Sequence, residues 1–321
     1  MSKRFKVLLT NPIHPLYHEE LSKEFDVIVS PDIKPDTLKG LISGCDGLIV
    51  RCQLPDDIFD NAAHLKAVVR HGVGLDFIPV AAATKKGIPV ANLPGSNTTA
   101  VVEYCLAAIF YFRRRLDLID SALRSQGWAK ARPMADPSTE LSTTTLGIIG
   151  MGAIGSKLAK AASALQMNVI ALTRRPETLP SNITAATKEE LFAQSDVVAI
   201  CCPLNDQTRG LVDRASISLM KPNAILINIA RGPVIDTQAV LDALVAGKIA
   251  GAAMDVHNQQ PLSGDEAVFN CPNLLLTPHI ASMTATSMRG MSKGSVETIK
   301  AILNGVKVEN VVNPEVFLNK A

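Results

Sequence analysis

The sequence predicts an α/β protein of two doubly wound domains, and three observations carry that prediction. Short apolar runs of strand length alternate with longer helix-like segments along almost the whole chain, the pattern of parallel sheets with crossover helices. The alternation occurs in two series, separated by a long helical stretch. At 321 residues the chain exceeds one typical domain, and its 47% hydrophobic and 19% charged residues are the balance of a soluble globular protein with substantial cores.

In the first series the runs are FKVLLT (5–10), FDVIVS (25–30), DGLIV (46–50), LKAVVR (65–70) and GIPVAN (87–92). Their spacing of roughly twenty residues leaves room for one strand and one helix each time. From Thr98 to about Arg124 apolar residues recur at helical spacing with no Pro or Gly, which predicts continuous helix. The stretch QGWAKARPMADPSTELSTTT (126–145) reads as a loop, rich in Pro, Ser and Thr. A second series follows: TLGIIG (145–150), NVIALT (168–173), DVVAICCPL (196–204), AILINIA (224–230), IAGAAMDV (249–256) and NLLLTPHI (273–280). Met283 to about Asn304 is helix-like again and stops at Gly305.

Several classes of function are disfavoured. The net charge is +2 and no basic stripe exceeds the cluster Arg113–Arg115, read as a solvated or interface face, so nucleic acid is not an expected partner. MSKRFKVLLT has too short an apolar run for a signal peptide, and no run approaches a membrane span. The six cysteines, at 45, 52, 105, 201, 202 and 271, lack metal-ligand spacing; they read as reduced thiols of a cytoplasmic protein without a metal site.

Gly150-Met151-Gly152-Ala153-Ile154-Gly155 fits GxGxxG. Alone this could be an ordinary strand–helix turn, but it follows the strand LGIIG directly and opens the helix Ala153–Leu165. There the first Gly allows the tight turn, the second lets backbone approach a pyrophosphate, the third lets helix and strand pack closely, and the helix amino end attracts phosphate. An NAD site wants a carboxylate after the next strand, for the ribose 2′-hydroxyl. NVIALT ends instead at Thr173, followed by Arg174 and Arg175. A hydroxyl and two guanidinium groups suit a 2′-phosphate, so NADP(H) is the expected cofactor, with NAD(H) possible if both arginines are merely exposed loop charges.

Three further segments close strands of the second series: Asn228-Ile229-Ala230-Arg231-Gly232, Gly251–Val256 with Asp255, and Thr277-Pro278-His279. Ligands collect at carboxyl ends of strands in open α/β sheets. Hydride transfer to a 2-keto acid needs a cation to clamp the carboxylate and polarise the carbonyl, and a proton donor for the forming alkoxide. Arg231 and His279 have that chemistry. Taken singly, Arg231 could be a surface ion-pair residue and His279 a satisfied loop histidine.

The sequence resembles the D-isomer-specific 2-hydroxyacid dehydrogenase family in RHGVGLDFI (70–78), GIPVANLPGSNTTAVVEY (87–104), the glycine loop, PLNDQT (203–208), NIARGPVID (228–236), GAAMDV (251–256) and NLLLTPHIA (273–281). The resemblance implies a flavodoxin-like substrate domain of residues 1–99 and 285–321, an inserted Rossmann NAD(P)-binding domain of residues 100–284, and an active-site cleft between them. It implies Arg231 as the residue that binds the carboxylate and polarises the carbonyl, and His279 as acid/base. Backbone at Val73 and Gly74 would bind the substrate carboxylate, and Arg51 would approach its C3 substituent. Asp255 and Ser282 would contact the nicotinamide carboxamide, and Pro203 and Thr208 the adenosine–ribose side, with Ala230 also beside the cofactor. A homodimer paired through the cofactor domain is implied as well.

Two positions depart from the family pattern, Asp-Val-Phe followed shortly by a Glu-Pro whose Glu hydrogen-bonds the histidine. Here Phe is His257 and Glu is Gln260, nineteen residues before His279. A Gln amide oxygen can accept from an imidazole N–H and fix its tautomer, but it lacks the charge that stabilises imidazolium. Asp265 and Glu266 follow and are candidates to substitute. The expected activity is reduction of a small 2-keto acid, of the glyoxylate or hydroxypyruvate type. A 3-phosphoglycerate-type or sulfonated three-carbon acid is an alternative, because Arg51 could pair with the extra anion. Formate dehydrogenases of the family share Gln before Pro but are markedly longer. A dinucleotide-sensing, co-repressor-like interaction protein without turnover is the alternative from another class.

Overall fold

A computed structural model describes residues 4–264 and 266–320. The chain forms two compact units, the first running to Asn97 and resuming at Met283, the second spanning Thr98–Ser282.

The first unit holds strands β1 (Lys6–Leu9), β2 (Asp26–Val29), β3 (Gly47–Val50), β4 (Ala67–Arg70) and β5 (Val90–Ala91), parallel throughout, in the order β2-β1-β3-β4-β5. This is the flavodoxin-like winding, with its switch point between β1 and β3. Because strand side chains alternate, Leu8, Leu48 and Val68 enter the core on one face while Val7, Leu9, Ile49 and Val69 enter the other. Helix Ala285–Leu303 covers the second face with Val296, Ile299 and Leu303.

The edge of β5 is closed by the returning carboxyl-terminal segment. Val312 N donates to Val90 O at 2.8 Å, Asn92 N to Asn310 O at 3.2 Å, and Ala91 bridges Val311 antiparallel. Asn313, 2% exposed, accepts from Val90 N at 2.8 Å and donates to Ile88 O and Thr84 Oγ1, each at 2.9 Å. One amide thereby satisfies backbone groups of a two-residue edge strand that would otherwise stay unpaired.

The second unit holds β6 (Thr145–Ile149), β7 (Asn168–Leu172), β8 (Thr184–Ala185), β9 (Val197–Ile200), β10 (Ile225–Asn228), β11 (Gly251–Met254) and β12 (Leu274–Leu276). All pair in parallel, in the order β12-β11-β10-β9-β6-β7-β8, the Rossmann winding with its switch point between β6 and β9. Cores again form on both faces, one around Val198, Ile200, Leu226 and Met254, the other around Ile148, Val197, Ala199 and Ile227. No helix among the described residues is long and apolar enough to cross a membrane.

Three local expectations are corrected. The helix expected to continue from Thr98 to Arg124 is two helices, Thr98–Arg114 and Leu116–Gln126, broken at Arg115 in a left-handed conformation (φ 44°). No Gly or Pro marks that break. The stretch from 126 to 145 contains the helical turns Trp128–Ala131, Arg132–Ala135 and Leu141–Thr143 rather than plain loop. Arg113 is not a surface charge. It is 9% exposed, with Nη2 donating to Asp196 O at 2.7 Å, so the arginine cluster splits between interior and surface.

Replacing Asn313 with Ala strands two buried backbone groups, Val90 N and Ile88 O, at about 1–3 kcal/mol each. The expected result is a lower urea midpoint, by about 2 kcal/mol or more in stability; an unchanged midpoint would remove this amide from the account of the edge.

Candidate active site

β6 runs into Gly150 (φ 96°), and helix Ala153–Ala164 begins after Gly152. A methyl on Gly150 would meet the Cys202 backbone at 2.8 Å, and one on Gly155 would overlap the Gly150 carbonyl oxygen, so both glycines are demanded by close packing. A methyl on Gly152 would meet nothing within 4 Å. The loop is therefore tight where it touches protein and open at its middle glycine. Gly152 caps the helix without a side-chain bond, which leaves first-turn N–H groups of Ala153, Ile154 and Gly155 for an anion. These residues fit the pyrophosphate of a dinucleotide.

Thr173 follows β7 and is half-buried, its Oγ1 accepting from Arg175 N at 3.2 Å, while the Arg174 and Arg175 side chains are exposed. Pro203 lies beyond β9, and the Pro203–Thr208 turn is closed by Thr208 Oγ1 donating to Pro203 O at 2.6 Å.

The buried Asn228, the last residue of β10, shapes the Arg231 turn. Its Oδ1 accepts from Ala230 N and its Nδ2 donates to Arg231 O, both at 3.1 Å. Arg231 also donates from Nη1 to Ala230 O at 2.6 Å.

Asp255, beyond β11, is 1% exposed and lies under the turn that carries His279. Its Oδ1 accepts from Thr277 Oγ1 at 2.6 Å and Ile280 N at 2.8 Å, and its Oδ2 from Ala281 N at 2.9 Å. Thr277 Oγ1 is in turn bonded to Tyr104 OH at 2.7 Å. Since the Thr277 hydrogen goes to the carboxylate, Tyr104 donates; burial pushes its phenol up to about 12, which keeps that hydrogen in place. His279 takes φ 58°, uncommon for a residue with a side chain, and this bonding holds it there.

His279 Nδ1 lies 2.9 Å from Gln260 Oε1. Gln260 Nε2 donates to His257 O at 3.3 Å, and this fixes which end of the amide faces the ring. His279 Nδ1 therefore carries a hydrogen, which makes Nε2 the basic nitrogen of the neutral ring. Of the two acids that follow, Glu266 is committed to its own loop. Glu266 accepts from Ser263 N at 2.7 Å and Gly264 N at 2.9 Å within its own loop, and Asp265 lies outside the described residues. Ser282 is half-buried at the end of the turn.

In the first unit, Arg51 follows β3 and donates from Nη1 to Pro12 O. Beyond β4, Leu93 N bonds Gly72 O at 2.9 Å, Asn92 Nδ2 bonds Val73 O at 2.7 Å, and Arg70 Nε bonds Gly74 O at 3.1 Å. In a trans peptide N–H and C=O point oppositely, so the Val73 and Gly74 N–H groups face away from these anchors. Burial, with Arg51 and Arg70 nearby, pushes the neighbouring His71 down to about 3, so it is neutral at ordinary pH.

Residues 106–281 match the family model for the NAD binding domain of D-isomer specific 2-hydroxyacid dehydrogenases. A glyoxylate reductase of Aeropyrum pernix is 36% identical over 98% of this chain and 97% of its own length. The chain belongs to this family. A D-3-phosphoglycerate dehydrogenase of Archaeoglobus fulgidus is 32% identical over 96% of the chain, which spans 59% of that relative. Among solved structures, the NADPH-dependent glyoxylate/hydroxypyruvate reductase of Sinorhizobium meliloti, in complex with NADP and malonate, is similar with a TM-score of 0.85 and 28% identity, over 97% of each chain. The protein is thus an oxidoreductase, an NAD(P)-dependent 2-hydroxyacid dehydrogenase with a nicotinamide dinucleotide cofactor and a small hydroxy or keto acid as substrate.

The dehydrogenase's second unit brings Gln260 and His279 together and places Arg231 on the turn beyond β10. Sequence reasoning missed the residues beneath them: Asn228, Tyr104, Thr277 and His257. Asn228 carried a usable signal, an Asn two residues before a turn, where its side chain can bond its own backbone. Tyr104, far away in sequence, carried none.

A carboxylate at 260 would favour the His279 imidazolium and raise its pKa above that of the parent. With His279 as the proton donor, keto-acid reduction would need the protonated ring, so activity would be present below that pKa and lost as pH rises through it. In Gln260→Glu the falling limb of the pH–rate profile should therefore move to higher pH. Superimposable profiles would show that the partner's charge does not reach the ring.

Proposed function

We propose that this dehydrogenase reduces a small 2-keto acid of the glyoxylate or hydroxypyruvate type, with NADPH as the preferred donor. The observation that carries the chemistry is the His279–Gln260 bond, which directs Nε2 of the ring to proton transfer. The cofactor supplies the hydride when bound. Arg231 holds the substrate carboxylate and draws electron density from the C2 carbonyl. As C2 is reduced, His279 Nε2 gives its proton to the forming alkoxide, and the product leaves as the 2-hydroxy acid. In this proposal the first unit is the substrate domain, with Val73 and Gly74 N–H groups on the carboxylate and Arg51 toward the C3 substituent. The second is the cofactor domain, with Ala230 and Ser282 beside the cofactor. Asp255 is assigned to holding the His279 turn, which occupies both of its oxygens.

The preference for NADPH rests on Thr173, Arg174 and Arg175, whose hydroxyl and exposed guanidinium groups suit a 2′-phosphate. The NADP complex of the Sinorhizobium meliloti reductase supports this choice, and the glyoxylate reductases among the relatives support the substrate. A second reading, a three-carbon acid with a further phosphate or sulfonate, is favoured by Arg51 beyond β3 and by the phosphoglycerate dehydrogenases among the relatives. Six free cysteines support a cytoplasmic setting. A homodimer is supported by apolar side chains left uncovered on the second unit: Leu116 is 64% exposed and Trp128 69%.

A panel of 2-keto acids assayed by NADPH oxidation tests the assignment: glyoxylate or hydroxypyruvate should give the highest kcat/KM. A phosphorylated or sulfonated acid in first place would replace it with the second reading, and turnover of none would end both. In Arg174→Ala, kcat/KM with NADPH should fall about tenfold, the worth of a charged hydrogen bond, while that with NADH holds; a native preference for NADH that Arg174→Ala leaves unaltered would sink the cofactor assignment. Sedimentation should give twice the chain mass, with Trp128→Glu shifting the equilibrium toward single chains; a monomeric parent would refute the dimer.

A further inference from the structure

His257 has no part in the chemistry described so far, yet it touches all three turns that carry it. It is 8% exposed, at the end of the segment beyond β11. Its Nε2 lies 3.0 Å from Thr277 O, and because a carbonyl only accepts, that ring nitrogen carries a hydrogen. The bond fixes the peptide two residues before His279. Its own carbonyl accepts Gln260 Nε2 at 3.3 Å, the bond that turns the Gln260 amide so that Oε1 meets His279. A methyl on Gly232, the residue after Arg231, would overlap the His257–Asn258 peptide, so the Arg231 turn rests directly on the same backbone.

We propose that His257 is a positioning residue for the reaction, holding the Arg231, Gln260 and His279 turns in register through its ring, its carbonyl and its peptide plane. The proposal rests on the roles given above to Arg231 and His279. It also explains why an amide serves at position 260. A glutamine donates to the His257 carbonyl and accepts from His279 at once, whereas an ionised carboxylate only accepts and would set its charge against that carbonyl.

The test combines kinetics with ¹⁵N–¹H spectra of the histidine rings in the full-length protein, His279 being assigned from the spectrum of His279→Gln. In His257→Phe, which keeps bulk but loses the N–H, kcat should fall about tenfold or more, as expected for a misplaced acid, with the KM for cofactor changed less than about twofold. The neutral His279 ring should lose its single Nδ1–H form and show a mixture of tautomers. His257→Gln, whose amide N–H reaches the same carbonyl, should recover kcat to within about threefold of the parent. Unchanged kcat and tautomer in folded His257→Phe would overturn the proposal, as would equal losses in the Phe and Gln variants. If His257→Phe does not fold, Gln260→Glu carries the test, since Gln260 is exposed. Its plateau rate, taken below its own falling limb, should drop at least about threefold although the acceptor for His279 remains; an undiminished plateau counts against the proposal. Failure of the enzymatic reading would appear as a parent that turns over no keto acid. The ring spectra decide the role of His257 without turnover.

Discussion

The buried carboxylate of Asp255 is the constraint on which the rest of the second unit's site depends. Three hydrogens reach it, from Thr277 Oγ1, Ile280 N and Ala281 N, and all three come from the turn around His279. An ionised carboxylate taken out of water costs several kcal/mol unless its lone pairs are satisfied, and hydrogen bonds to it contribute about 1.5–3 kcal/mol each. The compensation and the geometry of the His279 turn are the same bonds. The turn closes around the carboxylate, and the closed turn holds His279 in a backbone conformation that costs about 1–2 kcal/mol for a residue with a Cβ. Removing the carboxylate would leave the turn without its template.

From that anchor the order spreads outward through groups with no chemistry of their own. Tyr104 completes the donor set by giving its hydrogen to Thr277, which frees the Thr277 hydrogen for Asp255. On the other side of the Arg231 turn, Asn228 uses both ends of its amide, one on Ala230 N and one on Arg231 O. The pattern repeats at Gln260, whose amide also works in both directions. Bifunctional amides suit these places because each must satisfy a donor and an acceptor at fixed separation.

The sequence was legible where a local rule operates. Strand runs, their parallel windings and the glycine loop follow from periodicity and from glycines with packing reasons, and the observed orders match them. Arg231 and His279 were legible as chemistry at strand ends, Gln260 only through the family resemblance, and Gln260 and His279 meet as that resemblance implied. What was not legible depends on tertiary proximity. Tyr104 and Thr277 are separated by 173 residues, and Arg113 reads as part of a surface cluster although Asp196 O draws it inside. The helix break at Arg115 carries no Gly or Pro signal, because a left-handed residue with a side chain is tolerated where surrounding contacts impose it.

A neutral amide at 260 orients His279 as a carboxylate would, but lends the ring no charge. A glutamate at 260 would carry its own titration, and its protonation in acid would alter both the charge and the hydrogen bond offered to the ring. Gln260 has no proton to gain over the working range, so the hydrogen bond it offers His279 does not change with pH. Orientation and charge are usually supplied to such a histidine by one carboxylate. Here Gln260 orients the ring, while the buried Asp255 carboxylate holds the turn that carries it. Under the proposed mechanism the amide thus fixes where the proton is delivered without adding a second titrating group to the His279–Gln260 pair.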